Sequence, residues 1–118
     1  MNREARRVPV FKLAKRTAHG TLQVHRFKRI PAIFYRTEAG SEPVRAWLKA
    51  MALEDRRSIG EDIKVVEFGW PVGMPTCRPK GNGLHEVRTN LAGNRIARVF
   101  FCVDQKQRMV LLHGILKK

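Results

Sequence analysis

Residues 69–118 read GWPVGMPTCRPKGNGLHEVRTNLAGNRIARVFFCVDQKQRMVLLHGILKK. Pro71, Pro75 and Pro79, with Gly73, Gly81 and Gly83, punctuate the first part and predict a loop there. Three runs rich in β-branched and aromatic residues follow at about 84–89, 96–103 and 109–116. Their short polar connections predict an antiparallel meander. In the middle run Ala97, Val99, Phe101 and Val103 form a wholly apolar face to be covered by helices. Ile96, Arg98, Phe100 and Cys102 form the other, because successive strand side chains point to opposite faces. Arg98 interrupts that second face. It is either ion-paired, with Glu86 as a candidate partner, or it binds phosphate. Arginine suits the second role through a permanent charge and a planar fork of donors that matches phosphate oxygens. Arginines spaced through such strands point to an anionic ligand, and nucleic acid is the natural one.

Upstream, Ala32–Ile33–Phe34–Tyr35–Arg36–Thr37 reads as a short strand closed by Ala39–Gly40–Ser41. A helix is expected next, with Ser41 as its cap and Pro43 in its first turn. Val44, Trp47, Leu48 and Met51 recur at i, i+3, i+4 and i+7 and give it one apolar face. A second helix is expected at about 54–68, with Ile59, Ile63, Val66 and Trp70 along one stripe, before Gly69 and Pro71 end it. Two helices in sequence predict an antiparallel helical hairpin on the sheet, an α+β domain over residues 31–118. Residues 1–30 show no sustained period of 2 or 3.6, and a disordered basic extension is expected there.

The chain has 118 residues, enough for one core, and a formal net charge of +14 with a sequence pI near 11.1. Residues 1–36 hold ten Lys/Arg against Glu4 alone, so the charge is concentrated near the N-terminus. Such a potential favours encounters with RNA, DNA or ribosomes and makes them salt-dependent. Cys77, expected in a loop, and Cys102, expected in a strand, have neither metal spacing nor a disulfide pattern, which fits a reducing cytosol. No apolar run approaches the roughly 18 residues of a membrane span. HExxH, P-loop and GxSxG patterns are absent from the sequence.

Five segments in order carry a resemblance: YRTEAGSEPVRAWLKAM, LEDRRSIGEDIKVVEFGWPVGMP, GNGLHEVRTN, RIARVFF and VLLHGILKK. Together they make residues 31–118 similar to the phage-derived branch of the RelE/HigB toxin superfamily. The resemblance implies a helical hairpin packed on a small curved antiparallel sheet. It further implies a type II toxin, an endoribonuclease that inhibits translation by cleaving mRNA on the ribosome in the cytoplasm, with a cognate helix-turn-helix antitoxin and no cofactor. The alternative is a noncatalytic prophage-derived remnant that binds nucleic acid or an antitoxin without cutting.

The chemistry so implied is metal-free attack of a 2′-OH on its adjacent phosphate. That reaction needs a proton acceptor, a proton donor and positive groups around the developing charge. By the same resemblance Arg88, in HEVR, corresponds to the strand arginine at the scissile phosphate. Lys117 and Lys118 match the basic pair after the last strand, which contacts phosphate or transfers protons. Arg95, Arg98 and Lys80 are RNA-contact candidates beside the cleft. His113 is a candidate acid or base because imidazole titrates near neutrality, and His85 is a weaker one. Lys80 and His85 stand where relatives usually carry an apolar and an aromatic residue.

Overall fold

The computed structural model describes residues 27–118; most of the expected basic extension lies outside these residues. The elements are β1 (Ala32–Phe34), α1 (Pro43–Lys49), α2 (Leu53–Gly69), β2 (Cys77–Gly81), β3 (Leu84–Leu91), β4 (Arg95–Val103) and β5 (Met109–Lys117). They build an α+β fold, two helices on one face of an open five-stranded sheet of order β1-β5-β4-β3-β2. The meander β3-β4-β5 is antiparallel as expected. The sheet as a whole is mixed, because β1 runs parallel to β5, with Ala32 opposite Met109. A parallel neighbour requires a crossover, and here the helices and the remaining strands supply it.

Residues 77–81, expected as loop, form β2. Pro79 has no N–H to donate and is tolerated because β2 is an edge strand. Asn82 (φ 53°) and Gly83 (φ 80°) turn the chain from β2 into β3, the Asn-Gly pair that a two-residue hairpin with positive φ favours. Cys77 is therefore a buried strand residue, and burial pushes its thiol pKa up.

Helix α1 carries Pro43 in its first turn, but its N-cap is Glu42 without a side-chain bond. The expected cap, Ser41, is engaged in the preceding turn, where its hydroxyl lies 3.0 Å from Thr37 Oγ1. Helix α2 buries Ile59, Ile63 and Val66 as its apolar stripe requires, and adds Glu67. Each helix packs mainly on the sheet rather than on its neighbour, α1 against β5 and β1 and α2 against β3, which is looser than a helical hairpin. The Trp47 ring lies directly over Gly114 of β5, so closely that a Cβ there would run into the indole.

The core lies between the helices and the inner sheet face, formed by Val87, Ala97, Val99, Phe101, Met109 and Leu111 with Val44, Leu48, Ile59, Ile63 and Val66. Ile30, before the expected domain boundary, is fully buried in it. The segment leading to β1 is tied to the end of α2: Arg29 N–H donates to the Glu67 carbonyl at 2.7 Å and Ala32 N–H to Glu67 Oε2 at 2.6 Å. No helix among the described residues is long and apolar enough to cross a membrane.

Candidate functional site

Among the described residues no helix covers the outer face of the sheet, where the polar side chains of β2, β3, β4 and β5 collect. Strand alternation sends Val87, Thr89, Ala97 and Val99 inward and Glu86, Arg88, Arg98 and Phe100 outward. Register then aligns the outward residues in rows. Arg78, Glu86, Phe100 and His113 form one; Arg88, Arg98 and Ile115 the next; Asn90, Ile96 and Lys117 the third.

At the centre is Glu86, whose side chain is fully buried on this outer face. Its Oε1 lies 3.7 Å from Lys80 Nζ, and its Oε2 lies 3.8 Å from Arg88 Nε and 3.9 Å from Arg98 Nε. Arg78 is its cross-strand partner on β2. Three cations therefore lie within 3.9 Å of one carboxylate, with Arg78 beside them in the same row. The distances are those of ion pairs, yet neither Glu86 oxygen accepts a hydrogen bond among the described residues, and Arg78 Nε and Arg98 Nε are buried and equally unpartnered. Buried polar atoms left unsatisfied are uncommon in folded proteins and call for a reason.

Arg88 and Arg98 stand directly opposite one another. Arg88 N–H donates to the Thr76 carbonyl at 2.8 Å, on the β2 side. Towards β4 this residue is consequently in the non-hydrogen-bonded kind of pair, whose Cα atoms approach to about 4.5 Å with the side chains close together. Like charges so placed repel, and Glu86 offsets that repulsion. Both arginines reach Glu86 through Nε, and neither guanidinium donates a hydrogen bond within the described residues. Their terminal forks remain available to an anion. Side-chain exposures of 24% for Arg88 and 23% for Arg98 describe stems held down on the sheet with reachable tips.

His113, exposed on β5, stacks on Phe100 with ring centroids 6.4 Å apart and planes 19° from parallel. It flanks the cation cluster. Lys117 ends β5 on the same face, opposite Ile96, and Lys118 follows it, exposed. Of the residues singled out from sequence, the structure thus brings together Arg88, Arg98, Lys80, His113 and Lys117. Arg95 lies elsewhere. Its alternation places it on the inner side, where its guanidinium forms a two-pronged pair with Asp55 at 2.8 and 3.0 Å, tying β4 to the start of α2. That bond holds the Asp55 carboxyl below its usual range. His85 also faces inward, edge-on to Trp70 at 4.9 Å and stacked on Phe101 at 5.3 Å, so its ring serves as packing.

Beside the cluster, a cleft of about 440 Å³ opens between α2, the turn before β2 and the edge of β3, lined by Asp62, Met74, Pro75, Thr76, Arg88 and Asn90. Burial raises the Asp62 carboxyl above its usual range. The Thr89 hydroxyl opposes that shift without reaching hydrogen-bond geometry of its own. Sequence reasoning missed three groups in this region. Arg78 lay in a segment read as loop, although Arg78 and Lys80 alternate as strand residues do. Asp62 lies off the apolar stripe that marks α2 in the sequence, and no motif singles it out. Asn90 fell just past the expected end of a strand.

No curated protein matches the chain. The family model for phage-derived Gp49-like protein (DUF891) matches residues 46–118, which include both arginines, Glu86, His113, Lys117 and all six cleft residues. On that match, over more than half its length, the chain belongs to the phage-derived Gp49-like family.

Proposed function

We propose that this protein is the toxin of a type II toxin-antitoxin pair, an endoribonuclease of the RelE/HigB kind that cleaves mRNA on the ribosome and is held in check by a helix-turn-helix antitoxin. The observation that carries the reading is the outer-face cluster, three cations within 3.9 Å of one buried carboxylate and Arg78 in the same row, with two guanidinium forks unpaired among the described residues. Membership of a phage-derived family and the resemblance of residues 31–118 to the toxin superfamily support it.

Phosphodiester cleavage by an adjacent 2′-OH builds negative charge on the phosphate as the new P–O bond forms and the 5′-oxygen leaves. Fixed guanidinium donors aimed at that charge are worth more in the transition state than in the ground state. Arg88 holds the scissile phosphate in this scheme, with Arg98 beside it and Lys80 on the neighbouring backbone. In this scheme His113 gives a proton to the leaving 5′-oxygen, and Lys117 or Lys118 takes the proton that the 2′-OH releases.

The test is induced expression of the wild type and of Arg88→Ala in a bacterial host, read as growth arrest together with 5′-end mapping of translated mRNAs. Arrest with new cleavage ends is expected from the wild type, and at least about a hundredfold less cleavage from the variant, the scale for losing one transition-state donor. A soluble wild type that neither arrests growth nor creates ends would refute the proposal.

A further inference from the structure

We infer that the cleft lined by Asp62, Met74, Pro75, Thr76, Arg88 and Asn90 is a nucleobase subsite that selects guanine next to the phosphate held at Arg88. This inference rests on the reading of the protein as an RNA-cleaving enzyme and adds the base it chooses. Its geometric basis is that Arg88 belongs to both the cleft and the cation cluster, so a nucleotide with its phosphate on the cluster has its base within reach of the cleft. The volume, about 440 Å³, falls in the range of small-ligand sites of roughly 300–1,000 Å³.

The lining suits a flat heteroaromatic ring. Met74, 60% exposed, and Pro75 offer apolar surface to a ring face, and this accounts for a large hydrophobic side chain left open to solvent. The polar groups suit a base edge. Strand β2 begins at Cys77, and beyond the bond from Arg88 N–H to the Thr76 carbonyl no strand among the described residues pairs with β3 on that side. Antiparallel strands turn alternate residues towards the same neighbour, so Asn90 turns its main chain, like Arg88, towards the cleft. The site thus presents a main-chain edge and an amide from Asn90, a hydroxyl from Thr76 and a carboxylate from Asp62 on the opposite wall.

Among the four RNA bases only guanine carries two adjacent donors, the ring N1–H and the exocyclic amino group, on its Watson–Crick edge. They match the two acceptor oxygens of an ionised carboxylate. Its neighbouring O6 and N7 accept from donors such as those of Asn90. Adenine, cytosine and uracil each present an acceptor where Asp62 requires a donor. Unstacked bases of single-stranded RNA are read on these edges.

The experiment is 5′-end mapping in cells expressing the wild-type chain and Asp62→Asn, with circular dichroism of both purified proteins to establish equal folding. In the wild type, ends are expected to concentrate at guanine over the other bases by about tenfold, the discrimination of one good two-pronged pair. Asp62→Asn is expected to cleave less at guanine, so that the ends it still produces show no guanine preference. A second readout uses guanosine and adenosine 5′-monophosphate as probes on the purified wild type, where only the guanine nucleotide is expected to shift the Asn90 side-chain amide resonances. Wild-type ends without guanine bias, or a bias unchanged in folded Asp62→Asn, would overturn the inference and leave the nuclease reading standing. No cleavage ends at all, with no nucleotide-dependent shift, would overturn both.

Discussion

Glu86 is the residue on which the outer face turns. A carboxylate buried among three cations without accepting a hydrogen bond from the described residues forms no ordinary ion pair, since charged donors normally close to hydrogen-bond distance when a carboxylate is available. Its effect is electrostatic: it lets Arg88 and Arg98 stand opposite each other and leaves their terminal nitrogens uncommitted. Glu86→Gln keeps the shape and removes the charge. The folded state is then expected to lose roughly 1–3 kcal/mol at low ionic strength, less than for a wholly buried pair because the cations are partly solvated. The loss should shrink in high salt as the remaining repulsion is screened. Urea denaturation at two salt concentrations measures both effects, and equal stability of the two proteins at low salt would show that Glu86 does not offset the arginines.

At the scale of elements, α2 ties the start of β4 to the segment that precedes β1. Its start is fixed by Asp55 to Arg95 of β4, and its last turn holds the segment before β1 through Glu67. Glu67 is buried with one oxygen on Ala32 N–H, Lys28 Nζ at 3.3 Å and the other oxygen unpartnered. Burial raises its carboxyl above the usual range, and the Ala32 amide and Lys28 only partly offset that. A raised carboxyl binds its proton more tightly folded than unfolded, so ionised Glu67 costs stability at neutral pH. That cost is relieved as pH falls through its folded pKa towards the unfolded value of 4.5. Glu67→Gln keeps an oxygen for Ala32 and removes the titration. Relative to this variant, the wild type is expected to gain stability between about pH 7 and about pH 4, measured by denaturant unfolding at each pH. Parallel pH profiles for the two proteins would contradict this assignment.

For the whole molecule, the formal charge of +14 provides long-range attraction to a polyanion, and the sheet face provides the place where it is used. Each phosphate neutralised on single-stranded RNA contributes about −0.7 to the slope of log K against log salt, so four engaged cations predict a slope near −3. Titration of a labelled oligoribonucleotide at several salt concentrations reads this slope; salt-independent binding would remove the cation cluster from the interface. Much of this organisation is legible in the sequence. The α2 stripe and the meander follow from hydrophobic period, and the outward direction of Arg98 follows from simple alternation within β4. Period and alternation are local properties, so local sequence determines them. The parallel pairing of β1, the edge strand β2 hidden among prolines and glycines, and the packing role of His85 are decided by neighbours far along the chain. So is the division of the arginines, with Arg95 bound to Asp55 on one side and Arg98 opposite Arg88 on the other. The sequence by itself determined the two helices, the meander, the charge and the arginines; only the tertiary structure decided which cations share a face, because cross-strand register and the burial of Glu86 arise when distant segments pair.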